Sequence, residues 1–152
     1  MVSTAIGRIV STKRGKTEPT PRGDLRVIRI LVADDSPAIR KCLRGLLENH
    51  GDWRVCDEAT NGKEAVEHFK RTKPDLIVID LQMPEMNGLD AARQIVHQSP
   101  DTPILMVTIH MSKQLSEEAR KVGIRGTCAK GNIHCVVDAV GALLRHETYF
   151  QN

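Results

Sequence analysis

The sequence has 152 residues, and 40% of them are hydrophobic, which is enough for one compact domain of ordinary size. Aromatic residues make up only 3% of the chain, so the core must be aliphatic, and modules that stack nucleic-acid bases on exposed aromatic rings are disfavoured. The net charge is +3, but residues 1–26 carry +4 and the remainder carries −1. We therefore expect no direct nucleic-acid binding by the folded part.

Residues 1–26 are rich in Ser, Thr, Gly, Pro and Lys and cannot bury enough apolar area to offset the entropy of ordering. They predict a disordered basic N-terminal extension, with a role in touching membrane or nucleic acid as the alternative. No stretch resembles a signal peptide or reaches the roughly 18 apolar residues that a membrane helix needs. We expect a cytoplasmic protein with no membrane partner.

The cysteines are predicted to be free, buried thiols in a reducing compartment. None forms a C-x-x-C pair or has metal-ligand spacing with a histidine. The four are Cys42, Cys56, Cys128 and Cys135.

The first half of the domain begins with a β-branched run at 27–33, which predicts a strand. Ser36 as N-cap and Pro37 in the first turn predict a helix that ends near Gly51. A more polar strand is expected at 53–59. The next helix is predicted to start at Asn61 and Gly62 and to end before Pro74. Its apolar residues recur at the spacing of one helix face.

The second half repeats this alternation. The run 75–80 is apolar on both faces, as a central parallel strand must be. A helix follows Gly88, further strands are predicted at 103–109 and 123–129, and a fourth and a fifth helix follow those strands. Five strand–helix pairs predict an α/β fold with a five-stranded, doubly wound parallel sheet of flavodoxin-like (βα)5 type.

Polar residues follow the predicted strands where a ligand crevice is expected, at the carboxyl ends. Strand one is followed by Asp34 and Asp35 and strand three by Asp80, while strand four ends in Thr108 and strand five runs into Lys130. Two carboxylates about 4 Å apart repel by roughly 4 kcal/mol at an effective dielectric near 20, so three together call for a cation. Oxygen-only ligands in a shallow crevice favour Mg²⁺.

This constellation is suited to phosphoryl transfer. A carboxylate beside Mg²⁺ can attack a phosphoryl donor and form an acyl phosphate, while an ammonium and a hydroxyl stabilise the transferred oxygens. Taken singly, each residue has an ordinary interpretation as a helix cap, a strand Thr or a solvated Lys. Five of them at the ends of the predicted strands favour a site.

The sequences VADDS at 32–36 and DLQMPEMNG at 80–88, with Thr108 and Lys130, resemble the receiver domains of bacterial response regulators. The resemblance covers about residues 27–146 and leaves 147–152 as a C-terminal tail. It implies that Asp80 accepts the phosphoryl group and that Thr108 and Lys130 sense it. It also implies that Asp34, Asp35, Asp80 and the backbone carbonyl of Gln82 bind Mg²⁺.

Three positions depart from the family pattern. Thr127 stands where an aromatic ring usually swings inward on activation, so we expect the signal to travel mainly through the loop after Thr108 into the fourth helix. Ile109 stands where a small residue usually admits the donor, so we expect a narrowed entrance. Gly131 replaces the proline that often follows the lysine.

The resemblance further implies the partners. These are a histidine kinase or histidine phosphotransfer protein as donor and a downstream protein as target, with a homodimer through the fourth helix, fifth strand and fifth helix as a further expectation. A self-phosphorylating acceptor of this kind is not expected to be an enzyme. A haloacid-dehalogenase-type phosphatase needs a second acid where Gln82 stands, and the P-loop pattern G-x-x-x-x-G-K-[ST] is absent. Two alternatives stay open: the receiver part of a truncated DNA-binding regulator, and a binding module that is never phosphorylated.

The predicted disorder of the first residues can be tested by limited trypsin digestion. We expect early cleavage within the basic extension and a resistant core that still unfolds cooperatively, because exposed unstructured chain is cut first. Loss of cooperative unfolding after trimming would show that the extension is part of the fold. The candidate cleavage sites are Arg8, Lys13, Arg14, Lys16 and Arg22.

Overall fold

The computed structural model describes residues 26–151, so the prediction for the basic extension lies outside the described residues, apart from Arg26. Within this range, all strands form one parallel sheet in the order β2-β1-β3-β4-β5-β6. The strands are β1 (Ile28–Ala33), β2 (Trp53–Ala59), β3 (Leu76–Ile79), β4 (Ile104–Thr108), β5 (Gly126–Ala129) and β6 (Tyr149–Phe150).

Five α-helices connect the strands of the described range, as predicted. Four of them are preceded by a Ser or Asn N-cap, whose side chain accepts a hydrogen bond from a backbone N–H in the first turn. This bond satisfies a donor that has no partner within the helix. The helices are α1 (Pro37–Glu48), α2 (Gly62–Thr72), α3 (Gly88–Gln98), α4 (Lys113–Val122) and α5 (Cys135–Leu144). No helix among the described residues is long and apolar enough to cross a membrane.

The core has two layers, one on each face of the sheet. Alternate strand residues point to opposite faces, so Leu76 and Val78 pack on the side of α1 and α5 while Ile77 and Ile79 pack on the side of α2, α3 and α4. The side chains of β3 are all buried, which explains its uninterrupted apolar sequence. The doubly wound α/β prediction is confirmed.

The sheet differs from the prediction by one strand. Tyr149–Phe150 lies parallel to β5, with Tyr149 opposite Gly126 and Phe150 opposite Thr127. A β-carbon on Gly126 would come within 2.7 Å of the Tyr149 carbonyl oxygen, so the close approach depends on this glycine. The predicted tail at 147–152 therefore includes a short sixth strand. Two residues are too few to show the alternation of apolar and polar side chains by which a strand is predicted from sequence.

The expectation of buried thiols holds for only part of the cysteine set. All four cysteines are free, and Cys128 and Cys135 are buried, but Cys42 is exposed and Cys56 is intermediate. Cys42 lies on the outer side of α1, where a small apolar side chain is tolerated without burial.

Glycine at position 88 fixes how α3 approaches the end of β3. Its backbone N–H donates to the Leu81 carbonyl at 2.7 Å, and a β-carbon would overlap the Asp80 carbonyl oxygen. We expect Gly88→Ala to lower the free energy of unfolding by about 3 kcal/mol, because neither backbone segment can move freely.

Gly45 provides the matched control for this substitution. It lies exposed inside α1 and has no atom within 4 Å of a built β-carbon. Gly45→Ala should therefore raise stability by about 0.5–1 kcal/mol. Urea denaturation of both variants measures the contrast, and similar effects at the two positions would contradict this account.

Candidate functional site

The structure brings the predicted carboxylates together where the strand order reverses. β1 and β3 are adjacent at the centre of the sheet although β2 lies between them in sequence, and Asp34, Asp35 and Asp80 follow their carboxyl ends. Each of the three offers a carboxylate oxygen, and these oxygens all lie within 4.8 Å of one another. Asp34 and Asp80 are buried, while Asp35 is exposed.

Lys130 lies at the end of β5 and bridges the two buried carboxylates. Its Nζ is 2.7 Å from Asp34 Oδ2 and 3.0 Å from Asp80 Oδ2. Only 11% of the Lys130 side chain is exposed. The ammonium is therefore fixed between the two carboxylates by direct charge-assisted hydrogen bonds.

The electrostatics of the site leave it short of positive charge. Burial raises the pKa of Asp80; the hydrogen bond from Lys130 opposes this shift, and the charge of Asp34 adds to it. Burial alone would lower the pKa of Lys130, but its hydrogen bonds to Asp34 and Asp80 outweigh burial and raise it. One ammonium thus faces three carboxyl groups that repel one another.

A hard divalent cation fits this donor set. The three clustered carboxylates supply only oxygen, and Asp35 provides the exposed side from which hydrated Mg²⁺ can approach. Gln82, whose backbone carbonyl is the other predicted ligand, lines the same cavity as Asp35 and Asp80.

An open cavity of about 610 Å³ gives access to Asp80. Ile109 forms part of its wall but remains 62% exposed, so it flanks the entrance without closing it. Gly131 lies in a 3₁₀ turn with open space around it. The cavity is lined by Asp35, Ser36, Ile39, Asp80, Gln82, Ile109, Lys130 and Gly131.

Thr108 is the last residue of β4, the strand next to β3. It is 2% exposed and stands opposite Ala129, the residue before Lys130, in the register of β4 and β5. Among the described residues its hydroxyl has no hydrogen-bond partner, and Thr108 is not among the residues that line the cavity.

Sequence reasoning missed the residues that hold Asp34 in place. The backbone N–H of Ser36 donates to Asp34 Oδ1 at 2.9 Å, and Arg40 donates to the Asp34 carbonyl at 2.7 Å. Arg40 is itself held by Glu58 at 2.8 Å. The Ser36 contact is typical of a helix start. An arginine on α1, however, carries no signal in the sequence that it will bond to the backbone just after β1.

Comparisons with known proteins agree with this geometry. The family model described as "Response regulator receiver domain" matches residues 30–138. "Chemotaxis protein CheY" of Thermotoga maritima is 37% identical over 102 residues, which are 67% of this chain and 84% of that protein. A "Protein-glutamate methylesterase/protein-glutamine glutaminase" of Pyrococcus abyssi is 42% identical over 83 residues, which are 55% of this chain but only 22% of the relative.

A solved structure shows the same fold. It is a "two-component response regulator, LuxR family, from Aurantimonas sp. SI85-9A1", with a TM-score of 0.78 and 30% identity, and the match covers 81% of this chain and 89% of that one. The family match, the parallel sheet and the resemblance found in the sequence agree. The chain belongs to the response regulator receiver domain family and is a receiver of two-component phosphorelay signalling.

Proposed function

We propose that Asp80 accepts a phosphoryl group, in a Mg²⁺-dependent reaction, from a histidine kinase or histidine phosphotransfer protein. The observation that carries this proposal is the buried Asp80 carboxylate within the three-carboxylate cluster, bridged by Lys130 and open to a cavity. Asp34, Asp35, Asp80 and the carbonyl of Gln82 are proposed to hold the metal. When bound, Mg²⁺ supplies positive charge that offsets the carboxylates and the incoming phosphoryl oxygens.

The transfer is a single displacement at phosphorus. An Asp80 oxygen forms the new P–O bond while the P–N bond of a phosphohistidine donor breaks, and the electron pair stays on the leaving imidazole nitrogen. Lys130 is 3.0 Å from Asp80 and is positioned to follow the negative charge onto the transferred oxygens. Thr108, whose buried hydroxyl has no other described partner, is proposed to donate to one of those oxygens.

The receiver family is not itself catalytic, and we propose that this chain is a cytoplasmic acceptor rather than an enzyme, acting on a downstream protein. A homodimer through α4, β5 and α5 would have to include β6, because β6 already pairs with the outer edge of β5. The Pyrococcus abyssi relative is much longer than the matched region, which covers 22% of it. The activity of such additional regions is not part of the function proposed for this chain.

Phosphorylation can be tested by intact mass spectrometry after incubation with acetyl phosphate and Mg²⁺. The wild type should gain one phosphate and Asp80→Ala none, because the acceptor oxygen is lost. Asp101→Asn, which alters an exposed carboxylate in a turn, is the control and should react like the wild type. An adduct that persists in Asp80→Ala would refute the assignment, and an unreactive wild type would favour a module that works without phosphorylation.

Charge crowding predicts how Asp80 affects stability. A raised folded-state pKa means that ionised Asp80 destabilises the fold at neutral pH, so Asp80→Asn should raise the free energy of unfolding without Mg²⁺. The advantage should vanish as the pH falls below the unfolded pKa of about 3.9, because the carboxyl group is then neutral in both states. Chemical denaturation at pH 7 and at about pH 3 measures this, and an equal gain at both values would contradict it.

Bound Mg²⁺ should stabilise the wild type more than either variant that lacks a proposed ligand carboxylate. Mg²⁺ at 100 times its dissociation constant should stabilise the wild type by about 2.7 kcal/mol, and both Asp80→Asn and Asp35→Asn should gain less. The Asp101→Asn control should gain as much as the wild type. Unchanged Mg²⁺ stabilisation in Asp35→Asn would remove Asp35 from the proposed ligand set.

A further inference from the structure

The residues after α5 form a compact set of contacts with the outer edge of β5. The backbone N–H of Tyr149 donates to the Arg125 carbonyl at 3.0 Å, and that of Gln151 donates to the Thr127 carbonyl at 3.2 Å. The side chains of Tyr149 and Phe150 pack on opposite faces of the sheet. Residues 148–151 are called the edge segment below.

Gln151 is the most connected residue of the edge segment. Its Oε1 accepts from the backbone N–H of Ala129 at 3.0 Å and from Cys135 Sγ at 3.6 Å. Its carbonyl accepts from Thr127 Oγ1 at 3.3 Å and from Ser116 Oγ on α4 at 3.5 Å. One residue therefore connects β5, α4 and α5.

These contacts meet β5 next to the residues of the site. Ala129 directly precedes Lys130 and stands opposite Thr108, so the peptide that Gln151 holds lies between two site residues. Lys130 Nζ bonds to both Asp34 and Asp80, so any change in the backbone at Ala129 would shift the base of the side chain that makes this bridge. The edge segment is thus bonded to the stretch of backbone that carries Lys130.

The edge segment also places an aromatic ring next to the strand-five position that lacks one. Phe150 lies opposite Thr127 in the register and packs against the layer that contains α4. The Arg120 guanidinium lies 3.8 Å from the centre of its ring, a cation–π contact. A ring on β6 thus stands beside Thr127, in contact with α4.

We infer that the edge segment is a detachable strand whose docking on β5 is coupled to the phosphorylation site. It is docked while Lys130 bridges Asp34 and Asp80, and it is loosened when Asp80 carries a phosphoryl group. This inference rests on the proposed function. A two-residue strand held by bonds of 3.0–3.5 Å at Gln151 opens more easily than the rest of the sheet, so a small shift at Ala129 is enough to change its population.

The first test measures amide hydrogen exchange by NMR with and without beryllofluoride and Mg²⁺, which mimic the phosphoryl group. The amides of Tyr149 and Gln151 should exchange at least about fivefold faster with the mimic, the low end of ordinary coupling between sites. The Asp75 amide, bonded to the Arg29 carbonyl near the amino ends of the central strands β1 and β3, is the internal control and should not change.

The second test uses thermodynamic reciprocity. If the mimic loosens the edge segment, then loosening the segment must tighten binding of the mimic by the same factor. Gln151→Ala removes the side-chain acceptor for Ala129, so it should bind beryllofluoride up to about fivefold more tightly. Gln151→Glu keeps an acceptor oxygen and should restore the wild-type affinity. Gln98→Ala, an exposed glutamine at the end of α3, should change nothing.

The outcomes separate the inference from the proposed function. A normal acetyl phosphate adduct with unchanged exchange at Tyr149 and Gln151 would overturn the inference alone, as would equal beryllofluoride affinity in Gln151→Ala and the wild type. A wild type that takes neither acetyl phosphate nor beryllofluoride would overturn both. Faster exchange together with tighter binding in Gln151→Ala would support the coupling.

Discussion

The bridge from Lys130 to Asp34 and Asp80 is the interaction on which the rest of the site depends. Two buried carboxylates at the ends of adjacent strands are tolerated because an ammonium reaches both of them, at 2.7 and 3.0 Å. The sheet supplies this geometry, since β1, β3 and β5 end at the same edge. Under the proposed function, this ammonium is already beside Asp80 when the phosphoryl group arrives.

Much of the fold could be predicted because the local signals agree with one another. Ser36 and Asn61 mark helix starts that the structure reproduces, and the fully apolar run before Asp80 is a buried central strand. The carboxylate cluster was predictable for a similar reason, because strand ends in a parallel sheet meet at one edge. The structure places Asp34, Asp35 and Asp80 together as the sequence implied.

The missed features share a physical cause, which is that they depend on tertiary contacts. Tyr149–Phe150 is too short to show alternation, and its pairing requires the bare backbone of Gly126 on the neighbouring strand. Arg40 reaches the Asp34 carbonyl across the boundary between α1 and β1, a contact for which residue spacing gives no signal. Exposed Cys42 shows that a thiol's burial depends on which helix face it occupies.

The short length of β6 has a consequence for self-assembly. β6 is two residues long, whereas the neighbouring β5 has four, so the sheet formed by residues 26–151 presents a short unpaired edge on this side. Free strand edges are where separate chains add strands and aggregate. Lifting β6 would expose the longer edge of β5, at residues whose side chains are largely buried. Any treatment that removes or loosens β6 should therefore expose an edge at which a second chain can add a strand. The extent of aggregation should then rise with protein concentration.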